Sequence, residues 1–200
     1  MRVFLIHGMG RTRGSLLPLA RRLGQAGHTP SLYGYAVTRA PLAAIAADFA
    51  DHVAGVTAPS RGAPYAIIGH SLGNVITRLA SPILPPTFAR FGMLAPPNRS
   101  PALARAMRRN PLFGVLTGDA GKQLGDHGFY SALPVPDVPT MVIAGETRVP
   151  FLPYRGAASD GVVGVHETQL DGARHEVVPS AHTFIMNHPR ALALLLEFLT

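Results

Sequence analysis

Residues 69–73 read Gly-His-Ser-Leu-Gly. This is the G-x-S-x-G pattern of a nucleophile elbow, a sharp strand-to-helix turn that lifts a serine hydroxyl above a sheet. The two glycines matter because a side chain at position 69 or 73 would collide with the neighbouring strand or helix. The plainer reading is a Gly-Ser-Gly turn in which Ser71 merely caps a helix. A nucleophilic serine also needs N–H donors for the oxyanion, a base, and an acid that orients the base. The residue after the nucleophile, Leu72, supplies one backbone N–H. A second is expected from "HGMG", residues 7–10, where Met9 is best placed.

Three late histidines compete for the base. His182 in "PSAHTF" is favoured, because it follows the last strand-like run directly. His175 falls inside that run, and His188 sits beside Pro189 where a helix begins. His7 and His70 come too early for the Ser–acid–His order that goes with this elbow, and read as loop-fixing hydrogen-bond partners. Asp160 in "ASDGVV" is favoured as the acid over Glu146, at the end of the strand-like "VPTMVIAGE". Asp171 in "LDGAR" reads as a turn. Neither a metal nor a cofactor is called for, since His and Asp show no H-E-x-x-H or similar ligand spacing.

These residues need elements that bring them to one edge. "RVFLIHG", "TPSLYGY", "YAIIGH", "RFGMLAP", "VPTMVIAGE" and "RHEVVPS" read as six strands. Helical spacing lies between and after them. In "SLLPLARRLGQAG", Ser15 is a candidate cap and Leu16, Leu19, Ala20 and Leu23 share a face. In "APLAAIAADFADHVAGV", Leu42, Ile45, Ala46 and Phe49 do the same, and "HPRALALLLEFL" closes the chain. Alternation of this kind predicts an α/β fold: a mostly parallel sheet of about six strands with helices on both faces, in a single domain spanning 1–200. The stretch 97–138 breaks the rhythm. It is rich in Pro, Gly and Arg, with one helical piece expected around "PALARAMRRN".

Composition bounds the rest. Apolar residues make up 47% and charged residues 14% of 200, which excludes a disordered chain. No apolar run is long enough to span a membrane. "MRVFLIHGMG" is too short for a signal peptide, so a cytoplasmic location is expected. With no cysteine there is no thiolate chemistry. The net charge of +7 is almost all arginine, with Lys122 the only lysine. The densest group, Arg105, Arg108 and Arg109, lacks aromatic interleaving or a recognition-helix pattern, so no nucleic-acid partner is expected.

Through "HGMG", "GHSLG", "ASDGVVGVHE" and "PSAHTF", the chain resembles a small member of the α/β-hydrolase superfamily, most of all the minimal lidless bacterial lipases and esterases. The resemblance implies about six parallel strands and no large cap. Stretch 97–138 is longer than such a fold needs and is the one source of a partial lid. Relatives with an aspartate nucleophile are excluded by Ser71. The implied activity is carboxylic-ester hydrolysis through an acyl-enzyme, with Ser71, His182 and Asp160 as triad and a small-molecule ester or lipid as substrate. A thioesterase or acyltransferase would use the same triad, and a non-catalytic binding protein would lack one of its members. Arg11 and Arg13, just past the oxyanion loop, could bias the site toward anionic substrates; solvated surface charge is their plainer reading.

Overall fold

The computed structural model describes residues 1–60, 62–107, 110–147, 153–154 and 156–200, with 111–116 and 119 described by backbone alone. Arg108 and Arg109 of the basic group lie outside the described residues. The strands are β1 (Arg2–Ile6), β2 (Thr29–Tyr33), β3 (Tyr65–His70), β4 (Phe88–Leu94), β5 (Thr140–Gly145) and β6 (Arg174–Val178). They form one sheet in the order β2-β1-β3-β4-β5-β6, and every pairing is parallel. The helices are α1 (Leu17–Gln25), α2 (Leu42–Thr57), α3 (Leu72–Ala80), α4 (Ala102–Met107), α5 (Pro111–Leu124), α6 (His127–Ser131) and α7 (Pro189–Leu199). The expected six-stranded α/β architecture is the observed one.

Alternate residues of a strand face opposite sides of a sheet. Here that alternation feeds two cores. Phe4, Ile6, Tyr65, Ile67, Phe91, Met93 and Val142 pack with α2 and α3 on one face. Val3, Leu5, Ala66, Ile68, Met141 and Ile143 pack with α1 and α7 on the other. The stripe Leu42, Ile45, Ala46, Phe49, Ala50 and Val53 buries one side of α2, as its spacing predicts. Ser15 does not cap α1. It lies in a short 3-10 turn, Arg13–Leu16, and its hydroxyl donates to the Thr12 carbonyl. The turn overrides the cap because Leu16 must already be inside the core, where it is 1% exposed.

From β1 the chain crosses to β2 on one side, then returns past β1 to β3 on the other. Strand order therefore reverses between β1 and β3, and the crevice beyond their carboxyl ends is where open α/β sheets bind ligands. His7–Met9 and Ser71 leave the sheet at that crevice.

Among its described residues the stretch 97–138 holds three helices: α4, where the single piece is expected, and α5 and α6 besides. Gly118, at φ 57°, kinks α5 internally, and the glycines of this helix mask any clear helical period. Buried Arg78 of α3 ties both ends of the excursion down. Its guanidinium donates to the carbonyls of Leu133 and Pro134 and to Asn98 Oδ1. Burial lowers its pKa to about 10; a buried cation is tolerable only with its donors satisfied in this way. Among the described residues no helix is long and apolar enough to cross a membrane.

Candidate active site

The turn after β3 is strained. Ser71 has φ 52° and ψ −120°, a region that costs a non-glycine residue about 1–3 kcal/mol. Its neighbour β4 holds it there: the Leu94 carbonyl accepts both Ser71 N–H, at 2.9 Å, and Asn74 Nδ2–H, at 3.1 Å. Both flanking glycines are required by space. A Cβ on Gly73 would stand 2.5 Å from the Ile6 carbonyl oxygen, and one on Gly69 would stand 2.9 Å from the Asn74 nitrogen. Ser71 occupies the N-cap position of α3 but makes no capping hydrogen bond. Its Oγ turns instead to His182.

His182 Nε2 lies 2.9 Å from Ser71 Oγ, and its Nδ1 lies 2.7 Å from Asp160 Oδ2. The partners fix the tautomer: Nδ1–H donates to the carboxylate, leaving Nε2 to accept the serine proton. Asp160 is 2% exposed and His182 8%. The other carboxylate oxygen, Oδ1, accepts from the N–H groups of Val162 and Val163, at 2.9 and 2.8 Å. The two loops are also joined through the backbone, by His182 N–H to the Asp160 carbonyl. Glu146 is exposed at the end of β5, and Asp171 is exposed in a turn. His175 pairs with Thr168 Oγ1 on β6, and His188 stands at the start of α7.

Met9 and Leu72 line the same crevice as Ser71. Among the described residues no backbone carbonyl accepts the N–H of either one. His7 explains the aim of the first. Its Nδ1–H donates to the Gly8 carbonyl at 2.9 Å, and in a trans peptide that turns the Met9 N–H to the opposite side. Nε2 of His7 accepts from Tyr35 N–H, the two rings stack 4.4 Å apart, and Tyr35 Oη donates to the His7 carbonyl. Burial lowers the His7 pKa, which suits a neutral ring with one donor and one acceptor. His70, beneath the site, donates Nε2–H to the His182 carbonyl at 3.0 Å. Burial, with His182 close by, pushes its pKa down to about 3.

The crevice has a volume of about 540 Å³. Pro97, Pro101, Leu103, Ala104 and Leu124 of the excursion form one wall, and Val162 and Val163 another. Arg11 lines it and Arg13 does not. Asn74, Leu94 and Tyr35 escape sequence reasoning. Only Asn74 leaves a trace, as a polar residue in the otherwise apolar first turn of α3.

No protein-family model matches the sequence, and no curated protein matches it. Solved structures do. The mature form of Bacillus licheniformis lipase BlEst2 aligns at a TM-score of 0.79 and 15% identity, over 100% of this chain and 91% of that one. Phospholipase PlaB from Legionella pneumophila aligns at 0.74 and 19%, over 100% of this chain but 59% of that one. A lipase-esterase related protein from Clostridium acetobutylicum aligns at 0.67 and 13%, over 98% and 93%. At such identities the likeness is one of architecture, and it agrees with the strand order and the elbow: the chain has the α/β-hydrolase fold.

Proposed function

We propose that the protein is a serine hydrolase of carboxylic esters, with Ser71, His182 and Asp160 as its triad. The observation that carries the reading is the continuous chain from Ser71 Oγ through the His182 imidazole to Asp160, opening on an apolar crevice. His182 Nε2 takes the hydroxyl proton as Oγ bonds to the ester carbonyl carbon. The N–H groups of Met9 and Leu72 hold the resulting oxyanion. When the carbonyl re-forms, the carbon–alkoxy bond breaks and Nε2 gives its proton to the leaving alcohol. Water then gives a proton to Nε2 and its oxygen to the acyl carbon; release of the acid returns the proton to Ser71. Asp160 keeps the ring in the required tautomer and stabilises its charged form. The excursion 97–138 covers one side of the acyl portion, within a single catalytic domain.

The test is covalent labelling and turnover together. A fluorophosphonate should label the wild-type protein, and Ser71→Ala should take up none. On para-nitrophenyl esters of increasing acyl length, Asp160→Asn should lose about 10⁴-fold in kcat and stay folded. Equal labelling of Ser71→Ala removes the nucleophile assignment. A panel of thioesters and of alcohol acceptors run alongside separates hydrolysis of oxygen esters from the other acyl-enzyme chemistries.

A further inference from the structure

The crevice has two unlike sides. Apart from Met9 and Leu72 beside Ser71, its apolar residues come from the excursion and from Val162–Val163, whereas Arg11 and Thr183 come from the loops after β1 and β6. Both loops border the crevice beside Ser71. Arg11 is also within electrostatic reach of His70, whose ring centre is 5.0 Å from that of His182. Arg11 and His182 thus line one crevice with Ser71, across from the wall that the excursion supplies.

Arg11 is unlike the arginines whose charge is met within the protein, and it is set apart by its place in the crevice. The Arg78 guanidinium has three acceptors, and Arg174 pairs with Glu176 and Glu197. Arg11 is half-buried, yet among the described residues it has neither a hydrogen bond nor an ion pair. Arg13 is exposed, its stem laid against Gly34. A guanidinium presents a fork matched to carboxylate and phosphate oxygens. Beside a low-dielectric wall it attracts an anion more strongly than a free surface charge does.

Resting on the ester-hydrolase reading, we propose that Arg11 selects esters whose alcohol portion carries an oxyanion, a carboxylate or a phosphate, while the apolar wall takes an aliphatic acyl group. The substrate class is thus an anionic amphiphile with its charge on the leaving side.

The experiment compares kcat/KM for para-hexanoyloxybenzoate, its methyl ester and para-hexanoyloxyphenyl phosphate at low and high salt. A second pair, mono-para-nitrophenyl adipate and para-nitrophenyl hexanoate, moves the charge to the acyl side. Wild type and Arg13→Met should favour the alcohol-side anions over the methyl ester. Arg11→Met should lower that ratio by about tenfold, Arg11→Lys by less, and high salt should shrink it. The ratio is read within each variant, so changes common to all esters cancel. The anion with the larger gain identifies which of the two groups Arg11 prefers. The proposal is overturned if Arg11→Met keeps the wild-type ratio, or if the acyl-side pair depends on Arg11 equally. Turnover of the methyl ester with no gain for either anion removes the role of Arg11 alone. Turnover of none of the esters removes the ester-hydrolase reading and this proposal with it.

Discussion

The elbow and the excursion are built on different principles. At residues 65–80 backbone meets backbone: Gly73 lies under the Ile6 and His7 carbonyls, and Ser71 hangs from the Leu94 carbonyl. At residues 97–138 the backbone is tied at the start, where Asn98 and Arg99 N–H donate to the Glu167 carbonyl, and the short helices beyond are fastened by side chains. Arg78 holds the two ends, and buried Glu167 accepts from Ala102 N–H at the start of α4, while also accepting from Gly164 N–H and the Tyr154 hydroxyl. Backbone contacts cannot yield, so they suit groups that must be placed to a fraction of an ångström. Side-chain ties can be exchanged, so under the proposed function they suit a wall whose shape varies with the substrate.

The comparison is broken most decisively at Gly73. An added methyl group there meets rigid main chain, so Gly73→Ala should destabilise the protein by about 3 kcal/mol or more. Thermal unfolding should register this as a fall of roughly 6–12 °C. A melting temperature unchanged within error would mean that the elbow can relax, and the contrast would fail.

Glu167→Gln is the matching change in the excursion. It keeps the size of the side chain but removes a charged acceptor, at a cost of about 2 kcal/mol. Urea unfolding should show that loss, whereas fluorophosphonate labelling of Ser71 should change by less than about tenfold, because no elbow contact is touched. A collapse of labelling without loss of stability would place Glu167 in the chemistry.

A smaller effect lies in pH, and it sharpens the elbow's side of the contrast. His70 has a folded-state pKa near 3 against 6.5 for the free side chain. Above pH 6.5 neither state is protonated and stability is unaffected. Between 6.5 and about 3 the unfolded chain binds a proton that the folded one refuses, so stability falls as the pH falls. The loss from His70 is ~1 kcal/mol at pH 5.5. His70→Gln keeps an N–H for the His182 carbonyl and should flatten the slope by about one proton over this range. An unaltered slope would show that burial of His70 is not what sets it.

The same contrast explains what the sequence made legible. Strands, α2 and α7 follow from periodicity, and the elbow follows from two glycines around one serine, because these signals are local. His182 and Asp160 could be ordered by position along the chain. The preference for Asp160 over Glu146 rests on the small residues and the Val-Val run around it, and the fold buries Asp160 while Glu146 stays exposed. The brace at Leu94, the stack of His7 on Tyr35, and the unequal placement of Arg11 and Arg13 depend on partners distant in sequence. In the excursion the piece around "PALARAMRRN" is α4, while α5 and α6 escape the sequence because glycines hide helices that tertiary ties stabilise more than propensity does.

The Arg78 clamp also sets how far the excursion wall of the crevice can be rebuilt. Asn98, Leu133 and Pro134 belong to its hydrogen-bonding set, so replacing the whole excursion would strand a cation inside the protein. The interior, residues 99–132, carries none of those contacts. A library grafted between Asn98 and Leu133 would inherit a complete socket for the arginine, and the crevice wall could be recombined without redesigning the helix that follows Ser71.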